Sequence, residues 1–472
     1  MRRPVAAAVA LLLAGCATAP HVEPQVTQVA PATLGLGAQT PVLAERWWDG
    51  FGDPQLSRLV DMGLTGSPTL DAALARVRAA QAAVGAQRAE GRPQISADAS
   101  IQGERFSEHY IIPPPFGGST QSVPSLQANL SWNLDLFGRQ RAVVAQASAT
   151  ARAAELDAAA ARLTIATSIA QTYAGYAEAE RQIAIADRYV ATRQQALDYV
   201  RSRIKHQLAS DFDARTAETL LAEAQQARIR AGRDRDLMVH ALAALVGRGA
   251  DFYPQISAPT LALDRPPEVP AVLPADLLGR RPDLLAGQAR IAAAAAGRRV
   301  AKADYMPNVS IEALAGLASL GLSQFFTAGS LQVGAGAALH VPIFEGGKLD
   351  ANYRGAVAEI DRSVADYNGQ VLEAVRSSAD ALTGVRSADQ DLVQQNRIVA
   401  GLRDSVRLDQ VRTSTGLGSQ LDALASGFRL LEAEQQLADV QTNALVQRIK
   451  LIAALGGGFT APESTAVSAS GK

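Results

Sequence analysis

The chain repeats itself once, at long range, and that repeat limits the available folds more than any other feature. Ser67-Pro68-Thr69-Leu70, Leu74-Ala75-Arg76-Val77 and Pro93-Gln94-Ile95-Ser96 return in the second half as Arg281-Pro282-Asp283-Leu284, Gln288-Ala289-Arg290-Ile291 and Pro307-Asn308-Val309-Ser310. Further on, Leu208-Ala209-Ser210-Asp211-Phe212-Asp213 aligns with Leu417-Gly418-Ser419-Gln420-Leu421-Asp422. Solenoid units run to roughly 20 to 50 residues; this period is far longer and marks a duplicated half-protein. Each copy reads in the same order: a helix, two alternating strands, then a very long helical hairpin.

The hairpins are written in sevens. Tyr176, Ile183, Val190, Leu197 and Ile204 recur at that interval, as do Val385, Leu392, Val399 and Val406. Such a period describes helices that supercoil left-handedly against neighbours. From Arg139 to Leu208 there is no proline, and a helix of that length runs roughly 100 Å. The breaks at 208–211 and 415–419 carry turn and cap residues, and a return helix follows each. A coiled-coil scaffold satisfies the same periodicity, so the hairpins alone leave that reading open.

The strands narrow the choice. Ile95, Ala97, Ala99 and Ile101 alternate with Ser96, Asp98, Ser100 and Gln102. Leu126 to Leu136 alternates the same way, as do Val309 to Ala313 and Leu331 to Val341. Strands of about ten residues with a two-residue period are the signature of a membrane β-barrel. A soluble sandwich alternates equally well but needs more strands than the four found here. Four strands do not close, since a barrel takes about eight or more. An open edge in lipid leaves several kcal/mol of unpaired backbone per group. Strands in a membrane would therefore have to be pooled from several chains.

Charge and N-terminus bound the rest. Net charge is −1 among 472 residues, which implies no nucleic acid and no anionic surface as partner. No stretch approaches the roughly 20 apolar residues of a spanning helix. Arg2 and Arg3 precede an apolar run, Val5 to Gly15, that reads as a secretory signal. It ends in Leu13-Ala14-Gly15-Cys16, which resembles the bacterial lipobox; Cys16 is the only cysteine. The resemblance implies cleavage before Cys16 and its lipidation with diacylglycerol and an N-acyl (palmitate-type) chain. Ala17 follows, rather than the aspartate of an inner-membrane retention signal, so an outer-membrane address is expected. The five histidines are scattered, with no pair at metal-ligand spacing. Gly346-Gly347-Lys348 lacks the rest of a phosphate loop, and no Gly-x-Ser-x-Gly elbow occurs. No enzyme, cofactor or metal is expected.

Together the motifs carry a family resemblance. Trp47-Trp48-Asp49-Gly50-Phe51-Gly52-Asp53-Pro54-Gln55-Leu56 with Leu74-Ala75-Arg76-Val77 resembles the start of TolC/OprM-type outer-membrane efflux proteins, and more closely the NodT-like efflux lipoproteins. Arg280-Arg281-Pro282-Asp283-Leu284 is similar to that family's mid-chain motif, and Val341-Pro342-Ile343-Phe344 with Gly346-Gly347 to its strand-to-helix corner. The resemblance implies a mainly helical fold with a membrane β-barrel part. A homotrimer would form a twelve-stranded barrel and an α-helical periplasmic tunnel. It also implies the exit duct of a tripartite pump, with a periplasmic adaptor and an inner-membrane transporter of the resistance-nodulation-division (RND) type as partners. The tunnel would close at its periplasmic tip, placing Leu421 and Asp422 at the gate with Phe212 and Asp213 as first-half equivalents. Ser210, Gly416, Gly418 and Ser419 at the tips would meet the adaptor. The chain departs from the family at Ala425, where a second aspartate is common, and at Thr413, where a tyrosine is common. Asp422 has a plainer role open to it, as a carboxylate favouring a helix N-terminus by about 0.3–1 kcal/mol.

The expected organisation is a signal peptide at 1–15, a lipid-anchored tether at 16–44 and a first repeat at 45–250. Its strands are placed at about 94–103 and 126–136 and its hairpin at 139–247. A linker at 251–280 leads to a second repeat at 281–457, with strands at about 308–317 and 331–343 and a hairpin at 349–456. A disordered tail at 458–472 ends the chain. A protein-secretion duct and a pore-less periplasmic coiled-coil lipoprotein are the competing functions.

Overall fold

The computed structural model describes residues 19–34, 43–109, 111–264 and 277–460. The signal peptide, Cys16 and the tail beyond residue 460 lie outside the described residues, as do parts of the tether and linker. The elements are α1 (Pro54–Gly66), α2 (Pro68–Glu90), β1 (Gln94–Arg105), β2 (Thr120–Leu134), α3 (Arg139–Lys205), α4 (Asp211–Leu245), α5 (Pro282–Ala303), β3 (Asn308–Ala318), β4 (Leu331–His340), α6 (Lys348–Ser414) and α7 (Gln420–Ala454). The two hairpins match in length: α3 and α6 each have 67 residues, and α4 and α7 each have 35.

The duplicated halves are not the compact units. One unit holds residues 1–28, 76–154 and 287–367, and the other 29–75, 155–286 and 368–472. Each half of the sequence thus supplies two strands and the start of a hairpin to the first unit, and the rest of that hairpin to the second.

In the first unit the sheet runs β1-β2-β3-β4, antiparallel throughout. Its ends differ from the alternation signal in three places. β2 starts at Thr120, so the β1–β2 connection is 106–119 and not 103–125. Pro124 sits inside the strand. Its carbonyl accepts from Ser319 N–H on the β3 side, just past the end of β3, and the N–H it lacks would lie on that same side. β2 stops at Leu134 because Asp135 turns to cap α3, accepting the N–H groups of Gln140 (2.9 Å) and Arg141 (3.0 Å). β4 stops at His340, two residues before Pro342, which has no N–H for a ladder. Within the same unit the tether lies along α6: Asp361 accepts the backbone N–H groups of Gln25 (2.8 Å) and Val26 (2.9 Å). Val22 packs against Tyr305 and Tyr353.

The second unit holds the main core. Trp47, Trp48 and Phe51 pack with Leu56, Leu59 and Ile169 and with residues of α4 and α7. The Trp47–Asp53 signature is thus a packing and capping device. The buried Asp53 caps α1 by accepting the N–H groups of Gln55 (2.9 Å) and Leu56 (3.4 Å). Pro54 then starts the helix, where its missing N–H costs nothing. The same carboxylate accepts the buried Tyr173 hydroxyl (2.8 Å) and Thr260 N–H (2.8 Å). Burial, and then that carboxylate, push the Tyr173 hydroxyl above its ordinary pKa. The mid-chain Arg-Pro-Asp motif does an equivalent task. Arg281 pairs with Asp283 (2.8 Å) and donates to the Ala454 carbonyl (3.1 Å). That bond satisfies the last turn of α7.

Candidate functional site: an unclosed sheet and two hairpin tips

Pleat and register put the alternating apolar sets of all four strands on one face, leaving only Val123, Leu314 and a few small residues on the other. Ala97 lies opposite Ala128, which lies opposite Ala315, which lies opposite Val333. This face is bare: Ile95 is 75% exposed and Val333 69%, and Ile101, Leu331 and Leu339 are exposed as well. Exposed aromatic residues stand beyond both ends of the strands, with Phe326 in the β3–β4 connection and Phe137 and Phe344 at the strand-to-helix corners. An apolar band between aromatic residues is how a lipid-facing sheet is built. The opposite face is polar and internally bonded, as where Asn129 donates to Asp98 (2.9 Å) and Ser100 meets Ser125 (2.8 Å). Among the described residues β1 and β4 each pair on one side only, so both edges are open.

The two hairpin tips, both in the second unit, share one backbone solution. Leu208 N–H bonds to Arg203 O (2.9 Å) and Gln207 N–H to Ile204 O (2.9 Å); Leu417 N–H bonds to Arg412 O (2.8 Å) and Gly416 N–H to Thr413 O (3.2 Å). Each is a Schellman C-terminus, which needs a left-handed residue. Gly416 supplies it at φ 76° and Gln207 at φ 60°. A capping box then opens each return helix. Ser210 N–H donates to Asp213 Oδ2 (2.8 Å) and Asp213 N–H to Ser210 Oγ (3.4 Å); Ser419 N–H donates to Asp422 Oδ2 (3.3 Å) and Asp422 N–H to Ser419 Oγ (3.1 Å). The Ser210 N–H and hydroxyl hold the Asp213 carboxyl below the usual carboxylate range.

The residues singled out from sequence therefore fall into three groups. Ser210, Ser419, Asp213 and Asp422 are the capping boxes. Phe212 is exposed, whereas Leu421 is half-buried against Leu197, Val200 and Ala217 of the first hairpin. Gly416 fills the left-handed position, and Gly418 lies so close to Arg412 that an added Cβ would stand 3.2 Å from its side chain. Cys16 lies outside the described residues.

Two features escaped the sequence reading. Leu208 and Leu417, at the apex of each tip, are exposed; their identical place in both repeats was the available signal. The second is a seam between α3 and α7. Leu421 opens it, and Phe428 follows, with the Arg193 guanidinium 3.6 Å over its ring, within cation–π reach. Glu434 bridges Arg188 (2.6 Å) and Arg403 (3.1 Å), and Asp439 accepts from Gln182 (2.6 Å). Beside the seam lies a cleft of about 430 Å³ lined by Phe212, Leu421, Ala425 and Phe428. Among the described residues no group of His, Cys, Asp and Glu could hold a metal, and no helix is long and apolar enough to cross a membrane.

A sheet with one bare apolar face, one polar face and two open edges, on a chain whose remainder is paired long hairpins, defines a membrane channel of the barrel-and-tunnel class. The profile of the family described as "Outer membrane efflux protein" matches residues 59–248 and 273–457. The chain belongs to the outer membrane efflux protein family; it is a passive outer-membrane channel of efflux systems and not an enzyme. The fusaric acid resistance protein FusA of Burkholderia cepacia is 32% identical over 365 residues, covering 75% of this chain and 68% of FusA. The multidrug resistance outer membrane protein MdtP of Escherichia coli K12 is 29% identical over 467 residues, 95% of each chain. The outer membrane protein VceC of Vibrio cholerae superposes with a TM-score of 0.79 at 29% identity, covering 89% of this chain and 100% of VceC.

Proposed function

We propose that three copies of this chain pool their strands into a twelve-stranded barrel and their hairpins into a periplasmic tunnel, forming the exit duct of a tripartite efflux pump. The observation that carries this is the pair of open edges beside a bare apolar face. One chain can neither satisfy those edges in lipid nor hide that face in water. Exposed Ile229 and Leu237 on α4, and Val393, Leu408 and Val411 on α6, supply apolar surface for helices of neighbouring copies. Lipidation of Cys16 adds an anchor to a body already held by its barrel. An adaptor meets the tips, and an inner-membrane transporter of the RND type supplies the energy. FusA and MdtP are named for resistance to toxic compounds, which favours small-molecule cargo over protein secretion.

The gate lies at the tips, where Leu421 blocks water and Asp422 sets a local negative potential. Capping employs one oxygen of the Asp422 carboxyl. The test uses protein extracted from outer membranes. Unheated samples should migrate as trimers that heat converts to monomers, and the double variant Leu421→Ala/Asp422→Ala should show a larger single-channel conductance than the parent. A soluble monomer after removal of the lipid anchor would sink the duct reading. Unchanged conductance and cation selectivity in the double variant would sink the gate.

A further inference from the structure

The polar face of the sheet carries charge of one sign. Its ionisable residues are Asp98 and Glu104 on β1, Glu312 on β3 and His340 at the end of β4. No lysine or arginine falls on that face of any strand, and Arg105 ends β1 on the other face. All three carboxylates are exposed. They are not a cluster. Through the register, Asp98 lies level with Gln127, Glu312 with Ser131 and Glu104 with Gln121. At about 3.3 Å per residue these levels are roughly 13 and 20 Å apart, too far to hold one ion between them. Fixed charge acts over about 8 Å at physiological ionic strength, so the three levels act in series along the wall. Opposite Glu312 the facing residue of β4 is Gly336, around which a side chain would meet nothing within 4 Å, so this level is open to a passing solute. Asn129 pins the Asp98 carboxylate to the wall.

We propose that Asp98, Glu104 and Glu312 make the barrel itself a cation-favouring filter, separate from the carboxylates at the hairpin tips. This rests on the duct reading, which makes the polar face the lumen. Low-dielectric walls focus the field of fixed charges across a confined aqueous space. Inorganic cations and cationic or neutral organic solutes pass this segment readily, and anionic ones are retarded.

The experiment reads the wall with a neutral reporter. Ser100→Cys lies on the polar face between Asp98 and Gln102, and Ile101→Cys lies on the apolar face beside it. Outer-membrane preparations of the full chain are treated with a cationic (trimethylammonium) and an anionic (sulfonate) methanethiosulfonate, with the parent chain controlling for Cys16. At Ser100→Cys the cationic reagent should react about tenfold faster than the anionic one, after correction for a free thiol. Adding Asp98→Asn, Glu104→Gln and Glu312→Gln should bring that ratio back to the free-thiol value. A ratio that the neutral variants leave unchanged overturns the filter. Labelling at Ile101→Cys with none at Ser100→Cys overturns the duct reading instead. The triple variant without cysteine gives an independent measure in planar bilayers. Its reversal potential in a salt gradient should move toward zero, and a potential equal to the parent's overturns the filter as well.

Discussion

At the residue scale the two tips solve one problem at different cost. Both helices end on a left-handed residue, and glycine adopts that conformation freely while a residue with a Cβ loses about 1–2 kcal/mol there. Gly416 meets the demand and Gln207 does not. Glycine gives back part of the gain through its freer unfolded chain. The expected outcome for Gln207→Gly is a gain of about 0.5–1 kcal/mol, read as a higher thermal midpoint; an equal or lower midpoint would refute the strain. The capping boxes were legible, because Ser210 with Asp213 and Ser419 with Asp422 stand at the required spacing. That Gln207 takes the glycine role was not legible, since local sequence does not announce a left-handed glutamine. The packing of Leu421 was hidden for another reason. Its contacts are with Leu197, Val200 and Ala217, which belong to the other half of the chain.

At the scale of elements the hairpins were plain, because their seven-residue period continues without proline through 67-residue helices. Strand ends were less so. Alternation continues through Leu136, but Asp135 prefers to cap α3, and Pro124 reads as a break although its missing N–H falls beyond β3. The seam between α3 and α7 also carries a pH dependence. Burial, and then the Asp439 carboxyl beside it, push the Glu178 carboxyl from 4.5 up to about 7. Between those values the folded protein holds a proton that the unfolded chain has released, so stability falls as pH rises from about 4.5 through 7. Glu178→Gln should flatten this part of the pH profile of thermal unfolding. A profile that retains its slope would show that the dependence arises elsewhere.

At the scale of the whole molecule the duplication was visible in the sequence, but its meaning was not. Repeats suggest two similar domains, whereas the compact units cut across them, each drawing on both halves. The number of strands exposed the insufficiency of one chain, while only the register showed that the alternating apolar sets of the four strands coincide on one face, with Leu314 and Val123 left on the other. Docking belongs at this scale too. Leu417 is 75% exposed at the apex, whereas Gly418 is pressed against Arg412. A photoreactive or bifunctional crosslinker on Leu417→Cys should therefore capture a co-expressed periplasmic adaptor, and capture equal to that from a cysteine placed at exposed Ile111 would argue against tip docking.

The open edges of β1 and β4 have a genetic consequence. In the proposed trimer closure is a property of the assembled set, and every chain would be the only wall between its two neighbours. A copy with a spoiled edge does not merely lose its own activity; it enters assemblies and leaves the sound copies beside it with unpaired backbone in lipid. Alleles damaged in these strands, yet still able to associate through their hairpins, will behave as dominant over a coexisting intact gene. Alleles that fail to fold at all will be recessive.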